Sequence, residues 1–173
     1  MSIIGTRVQR VEDPALLTRG GTYVDDVDCP GALVATFVRS VMPHATITGI
    51  GTAVASAAPG VVGVFTATDL GFELRSPAMA PFNRDMKRRW LTSDTVRYVG
   101  EPIAVVVSHT REQGADAAEL VEVSYEPLPA VIGPFTSIRD KQLLFPDAGT
   151  NVAFSIPKTE GTVPFGQCDI TVS

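Results

Sequence analysis

With 173 residues, 45% of them hydrophobic and 19% charged, the chain is long enough to bury a core and too apolar to be disordered throughout. Fourteen basic residues against nineteen acidic leave a net charge of −5, which speaks against a dedicated nucleic-acid binder and against attachment to anionic lipid. No run approaches the roughly 20 apolar residues of a membrane helix. Residues 1–10 lack the apolar stretch of a secretory signal, so none is expected.

Residues 1–31 read as turn-rich and charged, punctuated by Asp13-Pro14, Arg19-Gly20-Gly21, Asp25-Asp26 and Pro30-Gly31. Residues 32–38 form a continuous apolar run with β-branched and aromatic members, the pattern of a strand buried on both faces. A second strand is predicted over residues 45–50, where Thr46, Ile47, Thr48 and Ile50 have high β propensity. Thr52 reads as the N-cap of a short alanine-rich helix that Pro59-Gly60 stops. Residues 61–65 make a third strand, and Thr68-Asp69-Leu70 a turn after it.

Residues 71–93 have no clear period. They contain the basic run Lys87-Arg88-Arg89-Trp90, which on an acidic protein reads as a solvated loop more readily than a nucleic-acid patch. Beyond them Val96-Arg97-Tyr98-Val99 leads through Gly100-Glu101-Pro102 into a strongly apolar strand over residues 103–107. Thr110 and Gln113 have the spacing of a capping box. Gly114, Ala117, Ala118 and Val121 then fall on one helical face, small enough to lie close against a sheet, with Arg111, Glu112, Asp116 and Glu119 opposite. Residues 121–125 alternate as a half-buried strand that Pro127 and Pro129 end. These elements predict a mixed α/β domain closing near Gly133, followed by an irregular, extended tail or linker over residues 134–173.

Chemistry-bearing residues are sparse. Cys29 and Cys168 stand alone, with no Cys-x-x-Cys pair, and with only His44 and His109 beside them they make no zinc signature. Both read as reduced thiols of a cytoplasmic protein. Neither histidine has a nucleophile partner that sequence can identify, so each is assigned a structural or capping role. Adjacent Asp25 and Asp26 point opposite ways in extended chain and chelate poorly. Gly20-Gly21 and Gly49-x-Gly51 lack the residues of a phosphate loop or dinucleotide fingerprint. Glu101, on a tight turn between apolar strands, reads first as a residue that shapes the turn. From physical chemistry alone there is no identifiable active site.

Six phrases in order nevertheless carry a resemblance. They are Arg10-Val11-Glu12-Asp13-Pro14-Ala15-Leu16-Leu17; Gly21-Thr22-Tyr23-Val24-Asp25-Asp26; and Phe37-Val38-Arg39-Ser40 with His44-Ala45. The others are Ala58-Pro59-Gly60-Val61-Val62 with Thr68-Asp69-Leu70; Val96-Arg97-Tyr98-Val99-Gly100-Glu101-Pro102; and the run from Ala117 to Pro129 that ends Tyr125-Glu126-Pro127-Leu128-Pro129. From about Gly5 to Val131 the chain resembles the N-terminal α/β hammerhead domain of the molybdenum-binding large subunit of the xanthine dehydrogenase and aldehyde oxidase family. The wording is nearest the carbon monoxide dehydrogenase large-chain branch.

The resemblance implies an α/β (α+β) fold, a mixed sheet with two short-to-medium helices packed on it. Residues 1–133 would be the hammerhead domain. Residues 134–173, with Gly161 to Phe165 and Cys168-Asp169-Ile170-Thr171-Val172, would lead into the molybdenum cofactor domain. It implies a complete enzyme that hydroxylates or oxidises small molecules with a molybdopterin (cytosine dinucleotide) cofactor, iron–sulfur clusters and FAD on other domains or subunits. Those domains and subunits are the implied partners, with self-association of the isolated chain and neither nucleic acid nor membrane. The family's cofactor ligands and glutamate base lie in later domains, so no catalytic, cofactor-binding or metal residue is carried over to this chain. One departure is Val41-Met42-Pro43, where the family usually has a proline directly after Arg-Ser.

Overall fold

The computed structural model describes residues 4–5, 7–21 and 23–156, which fall into two units, Met1–Ala32 and Leu33–Ser173. The first unit contains a helix that the turn-rich reading missed, α1 (Asp13–Arg19). Its boundary signals are present in the sequence. Asp13-Pro14 opens it, with the Asp13 carboxylate accepting the Arg10 N–H at 3.2 Å, and Gly20, at φ 77°, closes it. A 3₁₀ turn follows at Val24–Asp26.

In the second unit the strands are β1 (Val34–Arg39), β2 (Ala45–Gly51), β3 (Val61–Thr66), β4 (Thr95–Val96), β5 (Pro102–Ser108) and β6 (Glu122–Pro127). The helices are α2 (Ala53–Ser56), α3 (Arg111–Glu119) and α4 (Pro134–Ser137). The predicted strands all appear, but as two three-stranded sheets, β1-β5-β3 and β4-β2-β6, with every pairing antiparallel. The single mixed sheet is thereby corrected. After α3 the chain does not return to the sheet of β5: β6 pairs with β2, placing Tyr125 opposite Ile47 and Val123 opposite Ile50.

β5 is the central strand of its sheet, which is why its sequence is apolar at consecutive positions. Ile103, Ala104, Val106 and Ser108 are all fully buried. Full burial of a side chain such as Ile103 or Val106 contributes about 1.5–3 kcal/mol. β1 is different. The expectation of burial on both faces fails because α3 covers only one face of this sheet: Val38 points into the core while Ala35 and Phe37 lie on the outer face.

α3 lies on the inner face of β1-β5-β3. Gly114 and Ala117 are buried there, and a Cβ built on Gly114 would come within 2.4 Å of Thr36 Oγ1 and 2.7 Å of Ser108 Oγ. The small-residue face therefore sets the close approach, as its spacing predicts. One core cluster joins Val38, Ala55, Ala104, Val106, Ala117 and Val121; another joins Ala45, Ile47, Val96 and Ile103. Ile50 and Val123 pack against both and couple the two sheets.

The caps are only half as expected. Thr110 Oγ1 accepts the Gln113 N–H at 3.3 Å, but the Gln113 side chain does not reciprocate, and its buried Oε1 has no hydrogen-bond partner. Thr52 sits in helical backbone (φ −111°, ψ −9°) instead of the extended conformation that lets a hydroxyl reach back, and it makes no side-chain cap.

The stretch read as extended holds two short helical turns, α4 and a 3₁₀ turn at Pro146–Ala148. They are organised by Asn151, whose Nδ2 donates to the carbonyls of Ser137 and Gln142 at 3.2 and 2.7 Å. The expected lead-in from Gly161 onward, with Cys168, lies outside the described residues.

Candidate functional site

Among the described residues Glu101 is the buried acidic side chain, with only 4% of its surface exposed. Its carboxylate accepts the backbone N–H of Arg97, its backbone N–H donates to Tyr98, and its carbonyl accepts the Ser40 N–H at 2.9 Å. Gly100, at φ 94°, adopts the backbone that the turn requires. The Gly100 carbonyl accepts Arg39 Nη1 at 2.9 Å, and its N–H donates to Ser40 at 2.7 Å. Burial pushes the Glu101 carboxyl above its ordinary value, opposed by the Arg97 N–H and by the charges of Arg97 and Arg88. The bonds to Arg97 and Tyr98 close the turn on itself and those to Arg39 and Ser40 tie it to the end of β1, so Glu101 shapes the turn as its sequence position implies.

His44 is buried, and its Nδ1 donates to the Pro129 carbonyl at 2.8 Å. The His44 carbonyl accepts the Leu128 N–H at 3.0 Å, so the residue staples the start of β2 to the chain leaving β6. His109 is exposed, beyond β5, with its backbone N–H on the Gly60 carbonyl at 3.0 Å. The fold does not bring the two histidines into one site. Asp26 caps its own 3₁₀ turn by accepting the Tyr23 N–H at 2.9 Å. Cys29 is exposed as a free thiol. Gly49 and Gly51 lie within β2, Gly49 at a bulge after Ile47, so they form no anion loop. Among the described residues no three His, Cys, Asp or Glu side chains gather as a metal site would need. No described helix is long and apolar enough to cross a membrane.

A sizeable concavity among the described residues lies where sequence reasoning saw only a loop. A cleft of about 540 Å³ is lined by Arg75, Met79, Phe82, Met86, Arg88 and Trp90, among others. Its walls are built by local bonds. Arg89 Nε donates to the Phe72 carbonyl at 3.0 Å and its Nη1 pairs with Asp94 at 3.4 Å; Phe82 and Phe154 meet in a tilted contact with 4.9 Å between centroids. Arg97 lies 4.7 Å over the Phe145 ring and holds the Leu144 carbonyl at 2.9 Å. A smaller apolar depression shares Trp90 and runs along Phe37, Leu70, Phe72 and Val105 on the outer face of β1-β5-β3. The signals for the cleft were Trp90, the methionines and the unbalanced arginines. Without a hydropathy period, nothing in the sequence joined them.

The profile of the aldehyde oxidase and xanthine dehydrogenase a/b hammerhead domain matches residues 19–129, the whole span from the end of α1 through β6. The chain belongs to the aldehyde oxidase and xanthine dehydrogenase family. Among curated relatives, the nicotine 6-hydroxylase large subunit of Paenarthrobacter nicotinovorans is 39% identical, over 97% of this chain and 20% of that one. The carbon monoxide dehydrogenase large chain of Afipia carboxidovorans is 42% identical, over 83% of this chain and 18% of that one. The crystal structure of a Cu,Mo-CO dehydrogenase in its carbon monoxide reduced state superposes with a TM-score of 0.68 at 39% identity, covering 81% of this chain and 17% of that one. The chain thus spans about a fifth of the length of the curated relatives it matches. The hammerhead fold and the large-subunit kinship that the ordered phrases implied are both present, in two coupled antiparallel sheets.

Proposed function

We propose that the chain is the N-terminal structural and assembly domain of a molybdopterin-dependent hydroxylase large subunit, working in the cytoplasm and leaving the chemistry to other domains. The observation that carries this reading is the outer face of β1-β5-β3. Phe37 is 47% exposed beside Val105, and Trp90 is 65% exposed at the end of the same depression. An apolar sheet face left bare in this way calls for a neighbour.

Two features of the chain support placing the family's iron–sulfur and pterin cofactors elsewhere. Two cysteines in the whole sequence are too few for a four-thiolate iron–sulfur cluster. A pterin phosphate needs unpaired N–H donors, yet at the start of α3 the Gln113 N–H is already taken by Thr110. The Glu112 carboxylate lies there too, held below its ordinary value by its own backbone N–H and the Thr110 hydroxyl, so a second anion is repelled. In this reading residues 1–133 are the hammerhead and residues 134–173 the lead-in to the cofactor domain. Molybdopterin in its cytosine dinucleotide form, iron–sulfur clusters and FAD belong to the remaining domains and partner subunits.

The test is to isolate the chain from its native host with whatever accompanies it and measure molybdenum and iron by elemental mass spectrometry. Near-stoichiometric metal in the complex is expected. A metal-free chain recovered alone would replace this reading with that of a stand-alone interaction module. The purified chain is expected to show no oxidation of aldehyde, purine or carbon monoxide, and turnover by it would overturn the placement of the chemistry.

A further inference from the structure

Arg75 and Arg88 form an isolated antiparallel bridge, exchanging backbone bonds of 2.9 and 3.1 Å. Residues paired in this way stand directly opposite with side chains on the same face, about 5 Å apart at Cβ, where like charges repel. Neither guanidinium has an ion pair or side-chain hydrogen bond among the described residues, whereas Arg89 and Arg97 are both engaged. The surrounding stretch, residues 75–90, has five cations (Arg75, Arg84, Lys87, Arg88, Arg89) against one anion (Asp85), in a chain whose net charge is −5. The paired arginines border a cleft whose other walls include Met79, Phe82, Met86 and the exposed Trp90. Two guanidiniums without an ion pair, although Arg88 feels the charge of the buried Glu101, stand beside a Trp-lined apolar cleft and are complementary to a carboxylate pair attached to a bulky apolar anchor. Trp and Arg are also the residue types that most often concentrate binding energy at protein interfaces.

We propose that this cleft is a docking site for an acidic segment of a partner polypeptide, in which carboxylates flank a large apolar side chain. Arg75 and Arg88 receive the carboxylates and Trp90 packs on the anchor. The inference rests on the assembly reading and names the surface and the partner chemistry through which assembly would occur.

The test uses the full 173-residue chain and a fluorescein-labelled peptide with the core Asp-Glu-Trp-Leu-Asp-Glu. Comparison probes are a Lys-for-acid counterpart, a thymidine oligonucleotide and inorganic pyrophosphate. Fluorescence anisotropy should show binding of the acidic peptide that weakens as salt rises, with none for the basic one. The Arg75→Gln/Arg88→Gln variant should lose about tenfold or more in affinity, and Trp90→Ala should lose affinity without losing the salt dependence. Circular dichroism checks the fold of each variant. If the double Gln variant is unfolded, the Arg75→Lys/Arg88→Lys variant and the wild-type salt titration decide. No binding, salt-independent binding, or equal binding by a folded double variant would overturn the proposal. So would tighter binding of the oligonucleotide or of pyrophosphate. A metal-free chain recovered from the host sinks the assembly reading; a peptide indifferent to both arginines, while the native complex retains its metals, sinks this inference alone.

Discussion

Replacing Gly114 by alanine tests the claim that a bare backbone sets the distance between α3 and its sheet. The added Cβ would stand 2.4 Å from Thr36 Oγ1, 2.7 Å from Ser108 Oγ and 3.3 Å from Thr36 Cβ. In open helix the change would be favourable by about 1 kcal/mol. Here overpacking costs about 1–3 kcal/mol. Displacing Ser108 also strains its 2.8 Å bond to the Thr110 carbonyl, which is worth about another 1 kcal/mol. The balance is a loss of about 2 kcal/mol, or a fall in Tm of roughly 4–8 °C for a chain of this size. Thermal unfolding followed by circular dichroism would read it. Gly49→Ala, whose Cβ meets nothing nearer than 3.9 Å, serves as the control and should change stability by no more than about 0.5 kcal/mol. Adding Thr36→Ala to Gly114→Ala should recover part of the loss, as expected of residues in contact. A Gly114→Ala chain that melts at or above wild type would refute the close-approach argument.

Glu101→Gln should stabilise the chain at pH 7: a carboxyl raised above 4.5 on folding favours the native state below that pH, and this contribution fades as pH rises through the folded value. Urea titrations should therefore show the variant's advantage vanishing below about pH 4.5; an advantage that is constant with pH would contradict the assignment. Asp69 has the opposite sign, because the Thr66 hydroxyl and N–H lower its carboxyl below 3.8, so its contribution is present above that pH and lost as pH falls through the folded value. Gln113→Met, which removes an unsatisfied buried oxygen, should be neutral or stabilising by up to about 1 kcal/mol. Thr110→Ala should cost about 1 kcal/mol; equal losses at both positions would mean that the box closes in solution. Phe37→Glu, on the outer sheet face, should reduce hydrophobic-dye binding and self-association seen by light scattering; a wild-type chain that is already monomeric and binds no dye would count against that face being sticky.

The strands, the face of α3 and the turn at Gly100-Glu101 were legible because each rests on local pattern or turn chemistry. Sheet membership was not. The alternation of β6 says which of its side chains are half-buried but not that Val123 meets Ile50 on β2. Which face of a sheet is covered is similarly invisible: the residues of β1 read like those of β5, yet Phe37 is left exposed because it lies on the face opposite α3. The capping box failed on rotamer choice, since the Gln113 amide lies over Gly60 in place of the Thr110 N–H. The cleft was missed because Arg75 and Arg88, which border it, meet in an isolated bridge across thirteen positions of sequence, and no period announces such a pairing.

The excursion over residues 67–94 leaves the sheet of β3 and ends at β4, in the other sheet. Thr66 pairs with Ala104, the Leu70 N–H bonds back to Thr66, and the Thr92 N–H meets the Pro102 carbonyl at 2.8 Å. Its two ends are thus pinned by the scaffold, independently of what lies between them. Because the entropy of closing a loop rises only slowly with length, residues can be added to or removed from such a segment without disturbing sheet register. The hammerhead is in that sense a fixed chassis with an exchangeable attachment, able to change what it grips while keeping its frame.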